Sequence, residues 1–226
     1  MLSMSTGYMS GQNTVPSAEL PATVESFGAN QLVLRDRLLF AQSDEARYVY
    51  RILSGVVRTY RMMPDGRRHV TDFLLAGDLI GFEIGEEHNV SAEAVTDCVV
   101  RRYPRRQLEQ AANDQPVVAR RLLTLACDRL AAAQSQMVSL GRKTAEERFA
   151  SFLLGLVDRI RGADRAIAVP MTRADIADHL GLTIETVSRL FSRLRRDGVI
   201  ELPDAHSFRL LDRDALEERS AVCETV

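Results

Sequence analysis

Glu185, Ser188 and Arg189 stand at i, i+3 and i+4, so on a helix they project together from one face. Their chemistry suits the edge of a base pair. Arg189 can donate two hydrogen bonds to the O6 and N7 acceptors of guanine, and Glu185 can accept from the N4 amine of cytosine, which together fit one G·C pair. Ser188 is placed to help read a neighbouring base. Behind them Arg193, Arg195 and Arg196 are spaced for phosphates, as are Thr172, Arg173, Thr183 and Thr186 near two helix starts. Glu185 and Arg189 also suit a plain surface ion pair, worth ~0.3–0.5 kcal/mol. The elements around them must decide between the two readings.

Those elements read as two short helices and a hairpin. Thr172 caps the first helix, with Asp175 three residues on as a variant of the capping box and Ile176, Ala177 and Leu180 as its buried face. Gly181 ends it. Thr183 caps a second helix whose Ile184, Val187, Leu190, Phe191 and Leu194 fall on one apolar stripe, stopped by Asp197-Gly198. Then Val199 to Leu202, a turn at 203–206, and Ser207 to Leu210 read as strand, turn, strand. A helix-turn-helix followed by such a wing lays its second helix in the DNA major groove.

The run TRADIADHLGLTIETVSRLFSRLRRDGVIEL resembles the DNA-binding domain of the Crp/Fnr superfamily of bacterial transcription regulators, and ExxSR in the second helix is similar to its Fnr and FixK branches, FixK most of all. The resemblance implies recognition of TTGA/TCAA-type two-fold sites, with Glu185, Ser188 and Arg189 reading bases. It further implies an activator that contacts RNA polymerase and serves low-oxygen and nitrogen-fixation gene control.

At 226 residues the chain has room for two modest domains, and its 46% hydrophobic and 27% charged content is ordinary for a globular protein. A net charge of −2 does not argue against DNA, because a local basic face matters more than the total: four arginines lie between Ile184 and Gly198 against Glu185 and Asp197. No apolar run reaches the roughly 18 residues of a membrane span, and the start lacks a signal peptide's basic and apolar regions, so no membrane and a cytoplasmic location are expected. Cys98, Cys127 and Cys223 have no metal-ligand spacing. No nucleophile elbow, P-loop or metal cluster suggests an enzyme.

The expected fold class is α+β: a flexible arm over 1–22, a β-roll similar to cyclic-nucleotide-binding domains over 23–115, a dimerisation helix over 116–142 and the winged helix-turn-helix over 143–226. Strand-like runs at Tyr48–Leu53, Val56–Tyr60 and Arg68–Leu75 alternate with turns at Ser54-Gly55, Pro64-Asp65-Gly66 and Gly77-Asp78. From Pro116 to Arg142, Ala119, Leu123, Ala126, Leu130, Ala133, Met137 and Leu140 alternate four and three apart, a seam for a homodimer. Val118, Leu122 and Leu125 lie on another face and suit packing on the β-roll. Gly141 is expected to break or bend the helix, and a second helix should follow over 143–160 with a turn at 161–164.

Cofactor expectations come from departures. Where the superfamily's cyclic-nucleotide site carries a Gly-Glu segment and an Arg-Ser-Ala segment, this chain reads Gly81-Phe82-Glu83 and Val90-Ser91-Ala92. Valine cannot neutralise a phosphate, and an unpaired anion in a partly buried pocket is costly. No cAMP binding is therefore expected unless Glu83 and a remote arginine form another site. The Fnr branch's iron-sulfur cluster needs N-terminal cysteines, and none precedes Cys98. His69, His88, His179 and His206 carry no haem signature, so no cofactor is expected. Two other readings stay open: a regulator gated by a ligand, haem or thiol oxidation, and a cyclic-nucleotide-binding regulatory module.

Overall fold

The computed structural model describes residues 20–83, 85–160 and 166–221. Most of the expected arm, the turn expected at 161–164 and Cys223 lie outside them. The described chain opens with α1 (Ala22–Glu25), then β1 (Ala29–Val33), β2 (Leu38–Phe40), β3 (Tyr48–Ser54), β4 (Val57–Met62), β5 (Arg68–Leu74), β6 (Leu79–Ile80), β7 (Ser91–Ala94) and β8 (Cys98–Pro104). Two antiparallel four-stranded sheets result, ordered β1-β8-β3-β6 and β2-β7-β4-β5. They close on one core: Val33, Ile52, Cys98 and Val100 from the first meet Phe40, Val57, Leu74, Ala92 and Ala94 from the second. This is the β-roll. Burial pushes the Cys98 thiol's pKa up, against hydrogen bonds at Thr96 and Val56, which suits a packing role.

A bulge in the β4–β5 hairpin prepares the roll's outer surface. Tyr60 pairs with Val70 and Thr59 with Asp72, so Thr71 is the extra residue. Alternation along β5 then resets. Arg68, Val70 and Phe73 share the outward face, while Leu74 points to the roll's interior. The turn at its tip uses Gly66 at φ 82°, a conformation that favours glycine.

After the roll come α2 (Arg105–Asp114), which the sequence reading did not separate from its neighbour, and α3 (Pro116–Arg142). α3 starts with proline at its first turn and continues one residue past Gly141, since a glycine so near a helix end costs only about 1 kcal/mol. At 27 residues it is about 40 Å long. Val118, Leu122 and Leu125 pack against Val49, Leu79, Tyr103 and Leu108, anchoring α3 on the roll and α2. The other stripe faces outward: Leu123 is 64% exposed, Leu130 60% and Met137 69%, with Ala126 and Ala133 also exposed and Leu140 half-buried.

The C-terminal domain comprises α4 (Ala145–Arg159), β9 (Ile167–Ala168), α5 (Arg173–Leu180), α6 (Ile184–Arg196), β10 (Ile200–Asp204), β11 (Ser207–Leu210) and α7 (Arg213–Ser220). Its core joins Phe149 and Leu153 of α4, Ile176 and Leu180 of α5, Val187 and Phe191 of α6, and Ile200 and Phe208 of the wing. Phe149 meets Phe191 edge to face at 4.7 Å. β9 adds a third strand to the wing, pairing Ile167 with Phe208. The core does not stop at the domain: Val56, Val70 and Phe73 on the roll's outer face belong to the same cluster.

Candidate nucleic-acid interface

Backbone chemistry fixes where α5 and α6 begin and end. The Thr172 hydroxyl accepts from Asp175 N at 3.1 Å, and the Asp175 carboxylate accepts from Thr172 N at 3.1 Å, a reciprocal capping box. Gly181 closes α5 in the left-handed conformation at φ 63°, and Leu182 N returns to Ala177 O. Thr183 then accepts from Thr186 N at 3.2 Å and starts α6. From α4, Arg148 donates to Leu180 O at 2.6 Å, tying the turn to the domain core. Thr144 and Glu147 form a full capping box at the start of α4, a start signal that the sequence carries as Thr-x-x-Glu.

With Val187, Leu190, Phe191 and Leu194 buried, the rest of α6 faces water. Glu185, Ser188 and Arg189 are all exposed, and Ser188 Oγ donates to Ile184 O at 2.9 Å. No ion pair joins Glu185 to Arg189 among the described residues, so the bland reading of the two does not describe this structure. Hydrogen bonds from its own backbone N–H and from Thr183, aided by the Arg189 charge, hold the Glu185 carboxyl below its ordinary pKa. It is therefore an ionised acceptor at neutral pH.

The seven residues assigned to phosphates have different surroundings. Arg195, like the expected base reader Arg189, is exposed, and its side chain makes no hydrogen bond or ion pair among the described residues. Arg193 reaches Glu146 at 2.5 Å, and Arg196 lies 3.6 Å from Asp197. Arg173 differs most: its guanidinium lies 3.4 Å from the centre of the Phe191 ring and 3.5 Å from Ala205 O, and burial lowers its pKa. It braces α5 against α6 and the wing tip. Thr172 and Thr183 accept from backbone N–H groups in their caps, and Thr186 Oγ1 lies 3.0 Å from Thr183 Oγ1. The wing turn is closed by Asp204, which accepts from His206 N and Ser207 Oγ at 2.7 Å each.

The β-roll holds a cavity of about 320 Å³ between the Gly77–Glu83 segment and α3. Its charged lining is Asp72, Asp78, Glu83 and Arg129. Arg129 donates to Asp72 at 2.7 Å and to Leu79 O at 3.1 Å, and it lies 3.8 Å from Asp78. Glu83 is turned to the buried His88 at 3.1 Å, and Val90 completes the wall. Arg129, the one cation among the described lining residues, is thus neutralised by neighbouring acids. The described lining offers a cyclic phosphate no unpaired cation.

What these parts define is a winged helix-turn-helix DNA-binding domain carried by a cyclic-nucleotide-binding-type β-roll and a long connecting helix. The Crp-like helix-turn-helix domain family matches residues 147–219, and the cyclic nucleotide-binding domain family matches residues 31–115. The chain is 41% identical to the nitrogen fixation regulation protein FixK of Azorhizobium caulinodans over 204 residues, covering 88% of this chain and 82% of that protein. It is also 41% identical to FixK of Rhizobium meliloti over 180 residues, covering 80% and 82%. The solved structure of FixK2 from Bradyrhizobium japonicum superposes with a TM-score of 0.83 at 40% identity, covering 86% of this chain and 98% of that one. The chain belongs to the FixK-type Crp/Fnr transcription regulators, a family of DNA-binding proteins rather than enzymes.

Proposed function

We propose that the protein is a homodimeric activator that binds TTGA/TCAA-type palindromes without cAMP or an iron-sulfur cluster, in low-oxygen gene control and in the nitrogen-fixation regulation for which its FixK relatives are named. The observation that carries this reading is the α6 face: Glu185, Ser188 and Arg189 are exposed, side by side and free of mutual ion pairing. Each subunit inserts α6 into one of two major-groove segments about one helical turn apart. Glu185, Ser188 and Arg189 read bases, while Thr172, Arg173, Thr183, Thr186, Arg193, Arg195 and Arg196 contact phosphates.

The seam of α3 supplies the two-fold axis. Leu123, Leu130 and Met137 stand in water in the single chain, and burying each against a second copy contributes about 1.5–3 kcal/mol. Ala126 and Ala133 between them permit close approach. The acidic lining of the roll cavity supports independence from a cyclic nucleotide. RNA polymerase is the expected partner at the promoter, and the cytoplasm the expected location; no described helix is long and apolar enough to cross a membrane. The test is binding of purified protein, with no added ligand, to a TTGA/TCAA palindrome and a scrambled duplex at fixed salt under reducing conditions. Tight binding to the palindrome alone supports the reading. Specific binding that appears only with an added small molecule replaces it with a ligand-gated regulator using the roll cavity.

A further inference from the structure

Two arginines of the β-roll are bound to the first helix of the DNA-reading motif. Arg58 on β4 donates to both Asp175 oxygens at 3.0 and 3.1 Å and, with its other terminal nitrogen, to Glu93 at 2.8 Å. Arg68 on β5 donates to Asp175 at 2.6 Å and to Asp178 at 2.8 Å. Around them, His69 Nδ1 donates to Asp178 O at 3.2 Å and His179 Nδ1 to Val70 O at 3.1 Å. Phe73 and Phe152 flank the His179 ring at 5.2 and 5.8 Å. The Asp175 side chain is 1% exposed and that of Arg58 12%. Charges this dry are tolerated only while paired, so the contact is either made in full or opened to water.

Asp175 is also the reciprocal partner of Thr172 in the capping box that starts α5. The guanidinium groups that neutralise it therefore grip the helix-turn-helix at its first turn and set the direction in which α5, and α6 after it, leave the roll. A second grip lies on the far side of Phe73. Arg159, in the last turn of α4, donates to Phe73 O at 3.0 Å and to the Asp78 carboxylate, which also accepts from Leu75 N at 2.7 Å. Asp78 stands on the rim of the roll cavity, where Arg129 of α3 approaches it. Roll, α3 and α4 thus meet at one carboxylate.

We propose that Arg58, Arg68 and Arg159 are positioning residues for DNA recognition, clamping the helix-turn-helix to the roll through Asp175, Asp178 and Asp78 so that its reading pose is held by the chain's own ion pairs. This rests on the reading that α6 binds DNA. It deepens that reading by naming what takes the place of an effector. A ligand can bias a domain arrangement only through its differential affinity for the two states; here side chains of β4, β5 and α4 supply ion pairs that favour one arrangement without it.

The test uses full-length protein with spin labels at Arg67, on the exposed hairpin tip, and at His206, on the wing. Wild type, the Arg58→Met/Arg68→Met double variant and Asp175→Asn, which keeps a capping acceptor while removing the charge, are compared for label distance and for palindrome affinity. The expected result is a single narrow distance in wild type, a broadened distribution in both variants, and a roughly tenfold loss of specific affinity, with helical content retained. Arg58→Lys/Arg68→Lys, keeping the charges, recovers part of both signals. Unchanged distances in the variants overturn the clamp, whatever the affinity does. Broadened distances with unchanged affinity overturn its role in DNA recognition. If wild type does not distinguish the palindrome from scrambled DNA, the DNA reading fails, and this role with it; the label distances separately decide whether the docking contact exists.

Discussion

Arg58 and Arg68 on the β-roll and Arg189 and Arg195 on α6 are the same residue in opposite settings. The first pair is largely buried, with each guanidinium spread over two acids. The second pair is exposed, and its side chains make no hydrogen bond or ion pair among the described residues. Desolvation explains the division. A buried arginine must find its acids inside the fold and then holds one arrangement, whereas an exposed one keeps its donors available for a ligand that arrives later. On the proposed reading, Arg58 and Arg68 fix where α6 sits, while Arg189 and Arg195 keep their donors free for what α6 can touch.

The contrast breaks first at Asp175. Asp175→Ala removes the reciprocal half of the α5 capping box and leaves Arg58 and Arg68 facing each other without their shared acid, and the expected loss is about 3 kcal/mol of stability. Denaturant unfolding of the purified variant measures it. A loss no larger than the ~0.5 kcal/mol of an ordinary surface substitution means that the buried pairs hold nothing in place.

On the exposed side the effect moves from stability to binding. Arg189→Ala is expected to lower affinity for the cognate palindrome by roughly 1–3 kcal/mol and to relax the preference at one base pair, with the unfolding midpoint unchanged. Titration against the palindrome and single-base variants checks this. Equal losses on cognate and scrambled duplexes move Arg189 from base reading to phosphate contact.

Arg195→Ala is expected to act more weakly and without regard to sequence. Binding to every duplex should fall by a similar factor, and the slope of log affinity against log salt should drop by about 1. A salt series on the palindrome and on scrambled DNA reads both quantities. An unchanged slope places Arg195 away from the phosphates.

The exposed side of this comparison was legible in the sequence and the buried side was not. Thr172 with Asp175, Gly181, Thr183 and the spacing of Glu185, Ser188 and Arg189 are local signals, because caps, glycine turns and helical periodicity act over a few residues. The two faces of α3 were legible for the same reason. Arg58 and Asp175 are 117 residues apart in the chain, and nothing in local pattern joins them. Asp175 was read correctly as the capping-box partner of Thr172, which concealed its second role. The hairpin bulge at Thr71 hides in a run of ordinary strand residues, yet it turns Phe73 toward the C-terminal domain. Arg173 sits among residues that suit phosphate contact, and only the fold brings it onto the Phe191 ring. α2 escaped separate recognition because just a single residue, Gln115, divides it from α3.

The smallest expected effect is one of pH, and it tests whether the buried side is as dry as its ion pairs require. His179 lies within the docking contact, donating through Nδ1 to Val70 O, with Asp72 and His69 as the charged or titratable groups acting on it. Burial pulls its pKa below the ordinary 6.5, against the pull of Asp72 and the Val70 hydrogen bond. The unfolded chain therefore takes up this proton before the folded one does. Stability from this residue is complete above pH 6.5 and declines as pH falls from 6.5 toward the folded-state value. At pH 6 the loss is under about 1 kcal/mol. His179→Asn, whose amide can donate to Val70 O without titrating, should flatten that slope in denaturant unfolding between pH 7 and pH 6. If wild type and variant keep the same slope, water reaches the ring, and the pairs of Arg58 and Arg68 beside it are weaker than their burial implies.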